Sequence, residues 1–150
     1  MEQETLPRSA RSLGYAGLLP QMLALLLSWD GGEKSYVAIA GGFAYAALIF
    51  SFLGGVWWGQ ALAKGRSTAG VYVVSVLPSL ISLALFLPWT FGWEWPGPAL
   101  LYLGVFIALS PLVDRWLRLA DAGFMRLRWH LSLGLGAATI LLGVIANDIV

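Results

Sequence analysis

Five stretches of this chain are long enough and apolar enough to cross a membrane as helices, which takes about 20 residues for roughly 30 Å of hydrocarbon. They cover 13–29, 36–63, 69–88, 98–117 and 129–147. No Lys, Arg, Asp or Glu falls inside the first three, and Asp114 and Arg115 lie only at the end of the fourth. Backbone groups in lipid must be satisfied within the segment itself, so such runs fold as helices. The expected architecture is an all-α integral membrane protein, a single domain over 1–150 built as a bundle of five transmembrane helices. The first stretch follows basic residues, as a signal peptide would. It is long for that role and lacks a small-residue exit before Asp30, so it reads as a retained span.

The connections set the orientation, because short loops rich in Lys and Arg stay on the cytoplasmic side. Arg8 and Arg11 precede the first span, Lys64 and Arg66 follow the second, and Arg115, Arg118, Arg126 and Arg128 lie around the turn after the fourth. That places eight of the nine basic residues on one face and only Lys34 on the other. The N-terminus is expected in the cytoplasm and the C-terminus outside. Trp29, Trp89, Trp93 and Trp95 fall at the outer ends, and Trp57, Trp58, Trp116 and Trp129 toward the inner ones, matching the interfacial preference of indoles.

Composition narrows the chemistry. The chain is 59% hydrophobic and 11% charged, against roughly a quarter charged in soluble domains. A net charge of +1 gives no electrostatic reason for nucleic acid as a partner. With no cysteine and one histidine, neither thiolate sites nor multi-histidine metal and haem sites can be built from this chain, so no metal and no cofactor is expected.

The second span carries Ala47, Ser51, Gly55, Gly59 and Ala63 at every fourth position, a ridge of small side chains suited to helix packing within the chain, with a second copy, or with another membrane protein. Beside it, Gly54, Trp57, Trp58 and Gln60 have the composition of an apolar ligand cleft with one orienting amide. The competing reading is that these tryptophans only anchor the helix at the interface. A narrower small-residue stripe, Ser132, Gly136, Thr139 and Gly143, marks the fifth span as a packing helix.

Pro20, Pro78 and Pro111 sit inside spans, where each leaves the carbonyl four residues back without its helical partner. The carbonyls of Ala16, Val74 and Ile107 are thus expected to need other donors, with Ser75, Ser79 and Ser110 nearby in sequence.

The inner end of the fourth span is the richest polar region. Asp114 and Arg118 are spaced to pair on one helix face. Arg115, Arg118, Arg126 and Arg128 fit anionic lipid headgroups at about 1 kcal/mol each, or serve only to fix topology. Ser110, Asp114 and His130 invite comparison with a hydrolytic triad. Only the spacing of the first two follows from sequence, and no nucleophile-elbow, zinc-protease, Walker or dinucleotide motif accompanies them. No catalytic residue is assigned, and the chain is expected not to be an enzyme.

The segments Leu13-Gly-Tyr-Ala-Gly-Leu-Leu-Pro20, Ser51-Phe-Leu-Gly-Gly-Val-Trp-Trp-Gly59 and Ser75-Val-Leu-Pro-Ser-Leu80 resemble a bacterial membrane family of unknown function that also includes the mitochondrial transmembrane protein 69. The resemblance runs from Leu13 into the fifth span and is most specific over Ser51 to Gly59. It implies a small multi-span protein of a bacterial inner or mitochondrial membrane, and brings no activity with it. Two functions follow as expectations. One is a non-enzymatic accessory, assembly or scaffolding component of the bacterial inner membrane, acting through helix packing. The other is a binder, carrier or sensor of a lipid, quinone, carotenoid or tetrapyrrole near Trp57 and Trp58.

Overall fold

The computed structural model describes residues 6–149. Six helices follow one another: α1 (Arg8–Ala16), α2 (Leu19–Ser28), α3 (Glu33–Ala63), α4 (Ala69–Thr90), α5 (Gly97–Leu117) and α6 (Ala122–Ile149). There is no strand among the described residues. Four helices, α3 to α6, are long and apolar enough to cross a membrane.

The expected first span is divided in two, which corrects the sequence reading of 13–29. Pro20 has no N–H to offer Ala16. The chain tightens there into three-residue turns, with Gly17 N–H donating to Gly14 O and Leu18 N–H to Tyr15 O, both at 3.1 Å. The Tyr45 hydroxyl of α3 donates to Gly17 O, so the break is held by a neighbouring helix. The two pieces still run in series beside α6. Gly14 lies against Leu127 and Leu131, Gln21 reaches Thr139, and Ala24 sits near Gly42 and Leu142.

From α2 the chain turns back, and the Ser35 hydroxyl donates to Ser28 O at 2.9 Å across the corner. The α4 helix returns along α3, with Gly54 pressed on the Ser75 carbonyl and Pro78, and Ser82 Oγ donating to Ala47 O at 3.3 Å. The most extensive helix contact is between α5 and α6. A Cβ at Gly104 or at Gly136 would lie 2.8 Å from the other glycine's carbonyl oxygen. Two glycines facing each other thus let the backbones approach, and they fix the register that brings Ser110 opposite Ser132.

The core gathers Ile39, Phe43 and Phe50 of α3 with Leu100, Leu103 and Ile107 of α5 and Leu142 of α6. The outside is strongly apolar: Leu26 is 73% exposed, Leu48 69% and Trp116 71%. Inside lie Gln21, Ser28, Ser110, Asp114, Arg128 and Thr139. A strongly apolar outside on four long apolar helices, with polar side chains paired inside, fits a membrane protein, where lipid solvates the outside and buried polar groups must find one another.

The last helix also departs from expectation. It begins at Ala122 rather than near Trp129, about two turns earlier, so Arg126 and Arg128 are helical and not part of a loop. The αL turn that separates it from α5 is made by Arg118, at φ 55°.

Candidate functional site

Pro111 is where the site starts. Without its N–H, the Ile107 carbonyl is left free, and the Ser110 hydroxyl donates to it at 2.6 Å. That donation turns the Ser110 oxygen into an acceptor. One turn below on α5 is Asp114, fully buried, and across from both, on the second turn of α6, lies Arg128, 5% exposed.

The guanidinium ties these groups together. Its Nε and Nη2 donate to Asp114 Oδ2 at 3.2 and 2.7 Å, Nη2 also to Ser110 Oγ at 3.1 Å, and Nη1 to Ser132 Oγ at 2.7 Å. Ser132 and Ser110 are 3.3 Å apart, and since the Ser110 proton is committed to Ile107, Ser132 is the donor between them. This is the one salt bridge among the described residues. Asp114 Oδ1 is buried without a partner. The pair lies about 9 Å along α6 from Ala122, inside the bundle rather than at its rim. Charges are carried to such depth only when paired and hydrogen-bonded.

Beside this cluster is a cavity of about 370 Å³, walled by Leu13, Leu18, Ile49, Phe52, Leu53 and Leu135, with Arg128 and Ser132 among its lining residues. A largely apolar cavity with a few polar groups at one place is the usual form of a small-molecule site. The break between α1 and α2 contributes directly, since Gly14, Gly17 and Leu18 all line it. A second cavity of about 460 Å³ lies between α3 and α4, with Phe43, Phe86, Trp89 and Trp95 in its wall.

The residues singled out from sequence are dispersed. Of the small-residue ridge, Ala47 and Ser51 are half-buried and line the second cavity. Gly55, Gly59 and Ala63 are exposed, and a Cβ on Gly55 or Gly59 would meet nothing within 4 Å. Within this chain the close α3–α4 contact is made by Gly54, one residue away. Trp57 is 2% exposed, packed with Ala61, Val71, Leu117 and Leu119, so it is a core residue and not an interfacial anchor. Trp58 is exposed and stacks edge-on against Tyr72 at 4.9 Å. Gln60 is half-buried, with Oε1 unpartnered. Neither of the two cavities includes Trp57, Trp58 or Gln60.

The arginines also separate. Arg115, Arg118 and Arg126 are exposed, while Arg128 is not. Asp114 pairs with Arg128 and not with Arg118. The latter leaves the helix at its αL position, and only its backbone N–H bonds Asp114, through the carbonyl. His130 is exposed and its Nδ1 lies 3.0 Å from the Tyr15 hydroxyl, so it takes no part with Ser110 and Asp114. Sequence reasoning missed Arg128 as a buried residue. Its signal was present as two i, i+4 pairs, Ser110 with Asp114 and Arg128 with Ser132, on consecutive spans joined by a short turn.

A protein-family model described as "Protein of unknown function (DUF3429)" matches residues 6–144. No curated protein and no solved structure matches the chain.

Proposed function

The chain belongs to the DUF3429 family, whose description names no activity, and from that premise we propose that it binds a membrane-soluble small molecule in the cavity beside Arg128. The single observation that carries this is a charged, almost fully buried side chain in the wall of a largely apolar cavity. An inert bundle has no use for a guanidinium at that place, since well-packed apolar residues stabilise at least as well as a buried ion pair. The test is native mass spectrometry of the gently extracted protein, with release and identification of the bound species. A stoichiometric molecule lost in Leu13→Trp, which narrows the cavity, is the expected result. An empty wild-type chain would refute it.

A second reading rests on α3. Gly55 and Gly59 leave an exposed, unfilled strip along a membrane helix, the kind of surface on which another transmembrane helix packs closely. An accessory or assembly role, toward another membrane protein or a second copy, would use it. Gly55→Leu with Gly59→Leu should then abolish co-purification of the partner while leaving the fold intact, and unchanged recovery would count against it.

The setting is a bacterial inner membrane, with α1 and α2 together making a fifth crossing, the N-terminus inside and the C-terminus outside. The run of the two pieces along α6 and the charge bias support this. Arg115, Arg118 and Arg126 would then meet anionic headgroups, while Arg128 would not. Because the chain has no cysteine, single cysteines at Ser9, Ser67 and Thr90 report sidedness directly. Labelling of Thr90→Cys alone from outside is expected, and labelling of Ser9→Cys from outside would overturn the orientation.

A further inference from the structure

We infer that the polar end of the ligand is an uncharged carbonyl oxygen, carried on an apolar chain or ring. The inference rests on the reading that the Arg128 cavity is a ligand site.

The hydrogen-bond inventory decides it. A guanidinium has five N–H groups. Nε–H and one Nη2–H go to Asp114, the second Nη2–H goes to Ser110, and one Nη1–H goes to Ser132. The second Nη1–H has no acceptor among the described residues. Both serine protons are committed, that of Ser110 to Ile107 O and that of Ser132 to Ser110. Both Arg128 and Ser132 line the cavity; Ser132 keeps one acceptor lone pair, and the one uncommitted proton of the two side chains is on Arg128 Nη1. What pairs with that charged donor must bring a lone pair.

Charge then selects among acceptors. Arg128 is already neutralised by Asp114 at 2.7 Å. A carboxylate or phosphate entering the cavity would lose its hydration and meet a cluster of no net charge, with a carboxylate directly behind the guanidinium. Burying a charge without a net counter-charge is costly. A carbonyl has little hydration to lose and gains one hydrogen bond to a charged donor. The apolar wall of Leu13, Leu18, Ile49, Phe52, Leu53 and Leu135 suits the remainder of such a molecule. An ester of a neutral lipid and a quinone share this chemistry.

The experiment titrates purified protein in detergent with methyl oleate, a decyl-substituted benzoquinone, a straight-chain alkene of similar length, and oleate at alkaline pH where it is ionised. At least one carbonyl probe is expected to bind about tenfold tighter than both the alkene and oleate, the ratio that one such hydrogen bond supplies. Which carbonyl probe binds distinguishes the lipid ester from the quinone. The infrared stretch of a ¹³C-labelled probe carbonyl should shift down on binding. Equal binding of alkene and carbonyl probes would overturn the inference and leave the cavity reading standing, as would tighter binding of oleate. Failure of all four would overturn both. Asp114→Asn gives the cluster a positive charge, and the preference should then swing toward oleate by about tenfold. If that variant fails to fold, the wild-type series alone decides.

Discussion

Removing Asp114 measures how completely the Arg128 cluster is sealed from water. In Asp114→Ala, a guanidinium that is 5% exposed keeps only Ser110 and Ser132 as acceptors and loses the only carboxylate that pairs with it among the described residues. Breaking a buried pair from one side costs about 3–5 kcal/mol. With each kcal/mol shifting the midpoint by roughly 2–4 °C for a chain of this size, thermal unfolding should fall by about 6–20 °C. Arg128→Met should cost a comparable amount, since Asp114 is fully buried and its Oδ1 already lacks a partner. The double variant Asp114→Leu with Arg128→Met buries no charge and should recover to within about 1 kcal/mol of the parent, because apolar replacement of a buried pair is near neutral. Reversible unfolding in mixed micelles, followed by tryptophan fluorescence, compares the parent with these three variants. A loss of under about 1 kcal/mol for Asp114→Ala would refute the reasoning, since it would mean that water or headgroups reach the guanidinium.

Further outcomes follow from the packing. Gly54→Ala places a Cβ into the Ser75 carbonyl and Pro78, and should destabilise by about 1–3 kcal/mol. Gly55→Ala meets open space and should be neutral or stabilising by up to about 1 kcal/mol from helix propensity; the reverse order in an unfolding assay would contradict the α3–α4 contact. Tyr45→Phe removes the hydroxyl that donates to Gly17 O at the α1–α2 break, and should cost about 1 kcal/mol together with faster amide exchange at Gly17 and Leu18. Gln21→Leu should be tolerated in the same assay. Gln21 Oε1 has no partner, and the Thr139 hydroxyl keeps its bond to Leu135 O at 2.7 Å when the amide is gone; a large loss would show that the Gln21–Thr139 bond holds α2 to α6.

The helical class and four of the spans were legible along the chain, because a charge-free apolar run in lipid has one local solution, and each helix satisfies its own backbone. Pro111 was equally readable: the free Ile107 carbonyl and its Ser110 donor lie three residues apart. The comparable expectation at Pro78 was not met by its nearest serine, since Ser75 donates to Val71 O and not to Val74 O. Pro20 had a consequence that sequence understated, dividing the first span where Gly17 offers no side chain to hold it straight.

The candidate site was legible only as two separate i, i+4 pairs, because their meeting depends on partners brought together from separate spans. Trp57 and Gly55 belong to one helix and were read by one-helix rules, yet their fates differ. Trp57 is covered by α4 and the end of α5, while Gly55 faces away. Arg128 carries a charge that belongs in the headgroup layer when its own helix is considered alone. Only the close approach of α5 and α6 at Gly104 and Gly136 sets Asp114 opposite it. Hydrophobicity acts on each segment by itself and so is written in the sequence. Neutralising a buried charge takes a second helix at a particular register, which a side chain 14 residues away supplies only once the bundle has packed.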